Sequence, residues 1–394
     1  MKILVVTPKY YPDNFSITPL VNSFINEGHK VTVLTSLPFD KDGNYLEEYL
    51  HKEEEILGNL KIVRLKAIAR KKSRFSIALN YLSFYFKSKK WVKKSHSHFD
   101  VVYTFEVSPV TVIKAGNIYK KKNNVKHVVH VLDIWPESLL ASGYFKKNYP
   151  SYIIMRHWSK KLYSDADELL VGSPSFKEYL ENDLGINNVP IRYVSQPGLV
   201  SEVKNPSSPY EKGTINILYC GNISSIQLVN YIVPAMNKIN DDRIHFYIIG
   251  EGRYSSSLKK EIESSINKDR IHFLGEMRND EVYNYHLFAD AIFVGLDNRT
   301  LVGKTIPNKL ISALYYGRPI IGMLNGDGEK ILLESRGGIL IEQNEDAFVK
   351  AIEKVANMNE KEKNVLGFNN RNYYNLEFNI ENIKKEILLS LSRK

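Results

Sequence analysis

The stretch GKTIPNKLISALYYGRPII, Gly303 to Ile321, carries two lysines, Lys304 and Lys309, where the pattern predicts a helix to begin. Pro307 suits the first helical position. Leu310, Ile311 and Leu314 fall on one face, and Gly317 followed by Pro319 ends the helix before an apolar strand. Cations at a helix start oppose the macrodipole, at a cost of a few tenths to about 1 kcal/mol. Free N–H groups and lysines together instead make an anion site. The plain alternative is a pair of solvated surface lysines. A second candidate is VVHVLDIWPES, in which Asp133 follows a buried strand and Glu137 lies four residues on. Reactive groups of open α/β sheets gather at the carboxyl ends of strands. Asp133 is therefore a candidate reactive group, with Glu137 second; otherwise Asp133 caps a turn and Trp135 is core. GNISSIQ, Gly221 to Gln227, also follows a strand and contributes Gly221, Asn222 and Gln227, or is an ordinary strand-end turn.

Other combinations are weaker. Asp165 and Asp167 have the spacing of a metal-binding pair but read as a helix–strand junction. His96 and His98 lack a third ligand, so no metal is expected. GEGR lacks the remaining spacing of a dinucleotide fingerprint.

These residues need elements to hold them. The 394 residues are 43% hydrophobic and 25% charged, enough for two sizeable globular domains. Strand-like runs KILVVT, KVTVLT, KIVRL, VVYTF, HVVHVL, ELLVGS and IRYVS alternate with helix-like segments. The pattern restarts with NILYCG, HFYIIG, IHFLGE, AIFVGL, PIIGML and GGILIE. Such alternation predicts parallel sheets wrapped by helices. QPGLVSEVKNPSSPYEKG, between the two sets, reads as a linker. The expected division is 1–195, linker 196–213, 214–378, and a C-terminal helix in 379–394 that can cross back to the first domain. One cysteine, Cys220, excludes an intrachain disulfide and favours a reducing compartment. No apolar run approaches the roughly 18 residues of a membrane span. The N-terminus reads as a first strand and not as a signal peptide. Net charge is +10, and residues 1–200 hold all of the excess, with 29 Lys and Arg against 19 Asp and Glu. That half calls for an anionic partner, a membrane surface or a nucleic acid.

The ordered set GHKVTVLT, SPVT, DIWPES, LYCGNI, IIGEG, FLGEM and TIPNKLISALYYGRPII resembles glycosyltransferase family 4 over nearly the full chain. Within that family it is most similar to bacterial enzymes that add sugars to lipid-linked O-antigen or capsule repeat units. The resemblance implies a GT-B fold: two Rossmann-like doubly wound α/β domains facing across a cleft. It also implies retaining, metal-independent sugar transfer without a cofactor. The donor, a nucleotide sugar, would bind mainly the second domain and the acceptor mainly the first. From the branch, the donor would be UDP-linked, with an N-acetylated sugar as first candidate. The acceptor would be a polyprenyl-diphosphate-linked saccharide.

On this resemblance Lys309 matches the lysine of the family's Pro-Ser-Lys motif and would meet the donor diphosphate. Many members carry two glutamates eight positions apart; Lys304 and Ser312 stand there instead. Ser312 offers a ribose only a neutral oxygen. Many relatives also have a glycine and a basic residue at Ser224 and Ser225. More of the phosphate charge then falls on Lys309, with Lys304 and Arg299 as further donor-site candidates. In NFSI, after the first strand, Asn14 and Ser16 would approach acceptor or donor phosphate, unless Asp13 or Ser16 simply caps the next helix. Transfer of this kind is usually described as front-face, with the departing phosphate taking the proton. A protein base need not then exist.

Arg70 to Lys94 places Phe75, Leu79, Leu82, Phe86 and Trp91 between basic clusters that include Lys89, Lys90, Lys93 and Lys94. A helix of this kind can lie on an anionic bilayer, which gives a cytoplasmic protein held at the inner face of the cell membrane. The other reading packs it on the sheet with a basic outer face. Rival functions are a UDP-sugar epimerase of the same architecture, a basic nucleic-acid- or membrane-binding protein, and a non-catalytic relative. No nucleic-acid motif is present.

Overall fold

The structure, a computed structural model, describes residues 1–394 except 14, 41, 72, 142–145, 199, 201–202 and 394. Packing divides the chain into two compact units, Met1–Pro197 with Ile380–Lys394, and Gly198–Asn379.

The first unit is built on β1 (Lys2–Val6), β2 (Lys30–Ser36), β3 (Glu54–Leu57), β4 (Leu60–Leu65), β5 (Val101–Glu106), β6 (Lys126–Val131), β7 (Glu168–Val171) and β8 (Ile191–Tyr193). They form one sheet in the order β3-β4-β2-β1-β5-β6-β7-β8. Every pairing is parallel except β3 with β4. β1 and β5 are neighbours in register Ile3 opposite Val101, and the chain leaves them toward opposite sheet edges. Their carboxyl ends therefore mark the switch point where ligands bind in such sheets. Val5, Tyr103, Phe105 and Val128 bury one face against Leu20, Val21 and Phe24 of the helix Ile17–Asn26. Ile383, Ile387 and Leu391 of the last helix, Ile380–Ser392, complete the same core. Their i, i+4, i+8 spacing sets one apolar stripe on the sheet. Lys384 bonds Glu27 at 2.7 Å, and Ser390 donates to Glu168 at 2.9 Å.

The second unit has β9 (Ile215–Cys220), β10 (Ile244–Ile249), β11 (Ile271–Gly275), β12 (Ala291–Gly295), β13 (Ile320–Met323) and β14 (Gly338–Leu340). All are parallel, in the order β11-β10-β9-β12-β13-β14, with the switch point between β9 and β12. These strands read as continuous apolar runs because both faces are covered. Ile217, Phe246 and Phe293 bury one face, while Leu218, Ile292 and Leu314 bury the other. Within the expected linker, Tyr210 belongs to the second unit: it is buried in that core and donates to the Tyr285 carbonyl at 2.7 Å.

Candidate functional site

In the second unit the helix of the opening motif runs Asn308–Tyr316. Pro307 is extended at φ −76°, ψ 141° and serves as N-cap, one residue before the expected position. Gly317 ends the helix at φ 63°. Lys309 lies in the first turn. Lys304 does not: it ends a separate short turn, Leu301–Lys304, and is exposed.

Lys309 reaches back over the end of β9. Its Nζ donates to Gln227 Oε1 at 2.7 Å and to the Tyr219 hydroxyl, and lies 4.1 Å from the Tyr219 ring centre. The Tyr219 hydroxyl in turn donates to the Asn222 carbonyl at 2.6 Å, which pins the turn that follows the strand. Gly221 makes this crossing possible. Its φ is +139°, and a Cβ there would sit 2.3 Å from Lys309 Cε. Gly250 is required one layer below, because its Cβ would meet the Gly221 carbonyl oxygen at 1.9 Å. The lysine is partly buried, its hydrogen-bond partners among the described residues are neutral, and desolvation pushes its pKa down to about 7. A partly desolvated cation at a helix N-terminus, at a switch point, is arranged to meet a compact anion.

The other donor-site candidates fall around it unevenly. Asn222 is exposed beside Gly221, and Gln227 is bonded to Lys309. Ser312 is one turn along the helix and partly buried. Arg299 is committed elsewhere: its guanidinium grips Asp297, at the end of β12, through both carboxylate oxygens.

In the first unit Asp133 stands just beyond β6, as strand-end placement predicts. Ser138 donates to its Oδ1, and Trp135 Nε1 donates to its Oδ2 at 3.3 Å. Burial raises its pKa, and the bonds from Ser138, Ser108 and Trp135 work against the rise. Trp135 also donates to Ser108 at 3.2 Å, and the Tyr81 ring packs edge-on against the indole with centres 6.1 Å apart. Glu137 is buried and accepts from Tyr152 at 2.6 Å and Tyr179 at 3.0 Å, so its carboxylate faces inward. Ser16 makes no cap bond; its hydroxyl donates to Gln196 at 3.4 Å. Asp13 pairs with Lys9 at 3.2 Å. Asn14 lies outside the described residues.

Sequence reasoning missed Glu106. It ends β5 at the switch point, is fully buried, and neither carboxyl oxygen has a hydrogen-bond partner among the described residues. Burial and the neighbouring Asp133 carboxylate both push its pKa well above the ordinary range. An acidic residue closing a buried strand was the available signal.

The weaker motifs find structural partners. Asp167 accepts from Lys120 at 2.7 Å and from the His127 backbone at 2.8 Å, fixing the entry to β7. His96 and His98 are exposed. Among the described residues no cluster of three or more His, Cys, Asp or Glu could hold a metal ion. No helix among them is long and apolar enough to cross a membrane. The basic segment forms the helix Arg74–Lys94, with Phe84, Ser88 and Val92 buried on its inner face. Lys90, Lys93 and Lys94 are exposed, and Lys89 and Trp91 are partly buried.

Known proteins share this architecture. The family described as Glycosyltransferase Family 4 matches residues 16–197, and the one described as Glycosyl transferases group 1 matches residues 214–358. The chain is 24% identical over 231 residues to a probable glycosyltransferase, WbjE, of Pseudomonas aeruginosa, covering 56% of this chain and 57% of that protein. It thus spans little more than half the length of that relative. It is also 24% identical over 306 residues to an uncharacterized glycosyltransferase, MJ1069, of Methanocaldococcus jannaschii, covering 73% and 74%. Among solved structures, sucrose-phosphate synthase from Thermosynechococcus elongatus superposes with a TM-score of 0.77 at 15% identity, over 99% of this chain and 97% of that one. HepE of Anabaena, solved with UDP and glucose, gives 0.71 at 12% identity over 100% and 99%. WaaG, a glycosyltransferase involved in lipopolysaccharide biosynthesis, gives 0.71 at 11% identity over 100% of both chains. The chain thus carries a family 4 glycosyltransferase domain in its first unit and a group 1 glycosyltransferase domain in its second, each a doubly wound α/β unit as in the solved GT-B structures.

Proposed function

We propose that this protein is a retaining glycosyltransferase. It moves a sugar from a UDP-linked donor to a lipid-linked saccharide in surface-polysaccharide synthesis, at the cytoplasmic face of the cell membrane. The observation that carries the donor assignment is Lys309, partly buried over Gly221 at the end of β9 with neutral hydrogen-bond partners among the described residues. A diphosphate supplies the charge this ammonium lacks. As the glycosidic bond breaks, the leaving diphosphate gains negative charge, and a fixed cation stabilises that state more than the ground state. The helix Asn308–Tyr316 adds its N-terminal dipole. Solved relatives such as HepE bind UDP, which supports a nucleotide-sugar donor.

The acceptor hydroxyl is assigned to the Asp133 cluster. Asp133 is held by Ser138 and Trp135, so it orients a hydroxyl from a fixed position. In front-face transfer the departing phosphate oxygen takes the acceptor proton, and Asp133 need only align the attacking oxygen.

A panel of nucleotide sugars tested against polyprenyl-diphosphate-linked acceptors, read by mass spectrometry, decides the reading. Transfer from a UDP-sugar with retained anomeric configuration supports it. Epimerised or hydrolysed donor without transfer across the panel refutes it and favours a sugar-nucleotide epimerase.

A further inference from the structure

The helix Arg74–Lys94 does not present its outer face alone. The helix Pro150–Ser164 lies beside it, with the Tyr85 and Trp158 rings in edge contact at 5.8 Å. On the first helix Phe75, Leu82 and Phe86 are 74, 43 and 58% exposed. Their i, i+7, i+11 spacing places them on one stripe. On the second, Ile153 and Ile154 are 61 and 65% exposed, and Ile154 precedes Trp158 by one turn. Adjacent large apolar residues left in water on two neighbouring helices mark an interaction surface.

The charge around this surface has one sign. The two helices together hold nine Lys and Arg and not one Asp or Glu. A surface helix that served only to stay soluble would mix both signs. Lys89 lies 5.7 Å from the Tyr85 ring centre, and Lys90, Arg156, Lys160 and Lys161 are exposed. Apolar residues flanked by cations suit an anionic lipid bilayer, with the rings and isoleucines in the acyl boundary and the cations among the headgroups.

We infer that the helices Arg74–Lys94 and Pro150–Ser164 form a single docking face for an anionic bilayer, with Ile153 and Ile154 as its second apolar anchor beside Phe75, Leu82 and Phe86. The face borders the strand-end cluster. Tyr81, on the first helix, packs on Trp135, and its hydroxyl lies 3.4 Å from Ser108. A protein seated through this face therefore holds Asp133 near the headgroup layer, where a lipid-linked acceptor presents its saccharide. This last step rests on the proposed acceptor; the docking face itself does not.

The test is sedimentation of the full-length protein with sucrose-loaded vesicles of phosphatidylcholine alone and with 30% phosphatidylglycerol, a composition chosen at roughly the anionic content that gives a useful surface potential. Wild type is expected to pellet with the anionic vesicles and to be released by high salt. Ile153→Asp with Ile154→Asp should lower partitioning at least tenfold, and Phe86→Asp should do likewise. Near-ultraviolet circular dichroism and the melting temperature of the first unit should stay unchanged in both, which shows that the mutated unit is intact. Wild-type partitioning by the isoleucine variant overturns the two-helix face. Failure of wild type to bind anionic vesicles overturns it too. A concentration-dependent dimer that Ile153→Asp dissolves would assign the face to a second copy of the chain instead. Vesicle binding that persists while no acceptor is glycosylated would refute the proposed function and leave the docking face standing.

Discussion

Replacing Lys309 by Met should stabilise the ligand-free protein and abolish its activity, and the gain in stability should depend on pH. Desolvation of the partly buried Lys309 lowers its pKa from 10.5 to about 7. A drop of about 3.5 units at 1.36 kcal/mol each is about 5 kcal/mol. The unfolded chain holds the extra proton between about pH 7 and 10.5, so folding stability rises with pH across that window. The charge therefore destabilises the fold by about 4–5 kcal/mol at pH 6 and by about 2 kcal/mol at pH 9. Against this, the variant leaves Gln227 Oε1 and the Tyr219 hydroxyl without their donor, at a cost of about 1–3 kcal/mol. The net gain should be about 2–3 kcal/mol at pH 6 and close to nothing at pH 9. At about 2–4 °C per kcal/mol for a unit of this size, the melting temperature rises by roughly 4–12 °C at pH 6. Turnover should fall about 100- to 1000-fold or further, as when one transition-state donor is lost. The assay pairs calorimetric melting at pH 6 and pH 9 with sugar transfer. If Lys309→Met melts like wild type at both values and transfers sugar normally, Lys309 is a plain surface charge and the donor-site argument fails.

Binding of UDP should return the proton to Lys309, so calorimetry at pH 8 in buffers of different ionisation enthalpy should report uptake of nearly one proton, and almost none at pH 6. Equal uptake at both values would remove Lys309 from the diphosphate site. Gly221→Ala places a Cβ 2.3 Å from Lys309 Cε at a φ of +139°; it should weaken UDP binding at least tenfold and lower stability by about 1–3 kcal/mol, and unchanged binding would show that Lys309 can move aside freely. Glu106 has a raised pKa, so its native form holds a proton that the unfolded chain has lost above pH 4.5, and stability falls as pH rises. Glu106→Gln should therefore raise the melting temperature at pH 7 and leave it unchanged near pH 4; a loss at both would mean that the carboxylate has an ionic role.

The parallel core was legible because strands covered on both faces are written as unbroken apolar runs. β3 was not, since EEIL at an exposed sheet edge has neither such a run nor alternation. The helix after Pro307 was read to within a residue. Lys304 was placed in it because spacing alone does not show that the chain makes a separate turn first. Gly221 and Lys309 could each be named from sequence. That one lies across the other depends on the order β9-β12 in the sheet, which no local pattern encodes. The exposed pair Ile153 and Ile154 is illegible for the same reason: only the fold turns them outward.

Lys309 and Glu106 show the same conflict with stability in two separate sheets. Each is an ionisable group drawn out of water at a switch point, Glu106 fully and Lys309 partly, and among the described residues neither has an opposite charge that would offset its desolvation. A methionine and a glutamine would fill the same volumes at less cost, since uncompensated burial of an ionisable group is among the few changes worth several kcal/mol. A chain shaped by folding alone would lose both. Partly buried Asp133 meets the opposite treatment: Ser138 and Trp135 donate to its two oxygens. The difference separates the roles. A hydrogen-bonded carboxylate is held in place and acts by position, which suits alignment of a hydroxyl. An under-compensated cation gains most when a compact anion enters beside it. That gain is greatest in the state where the anion carries most charge, which in glycosyl transfer is the moment of leaving-group departure.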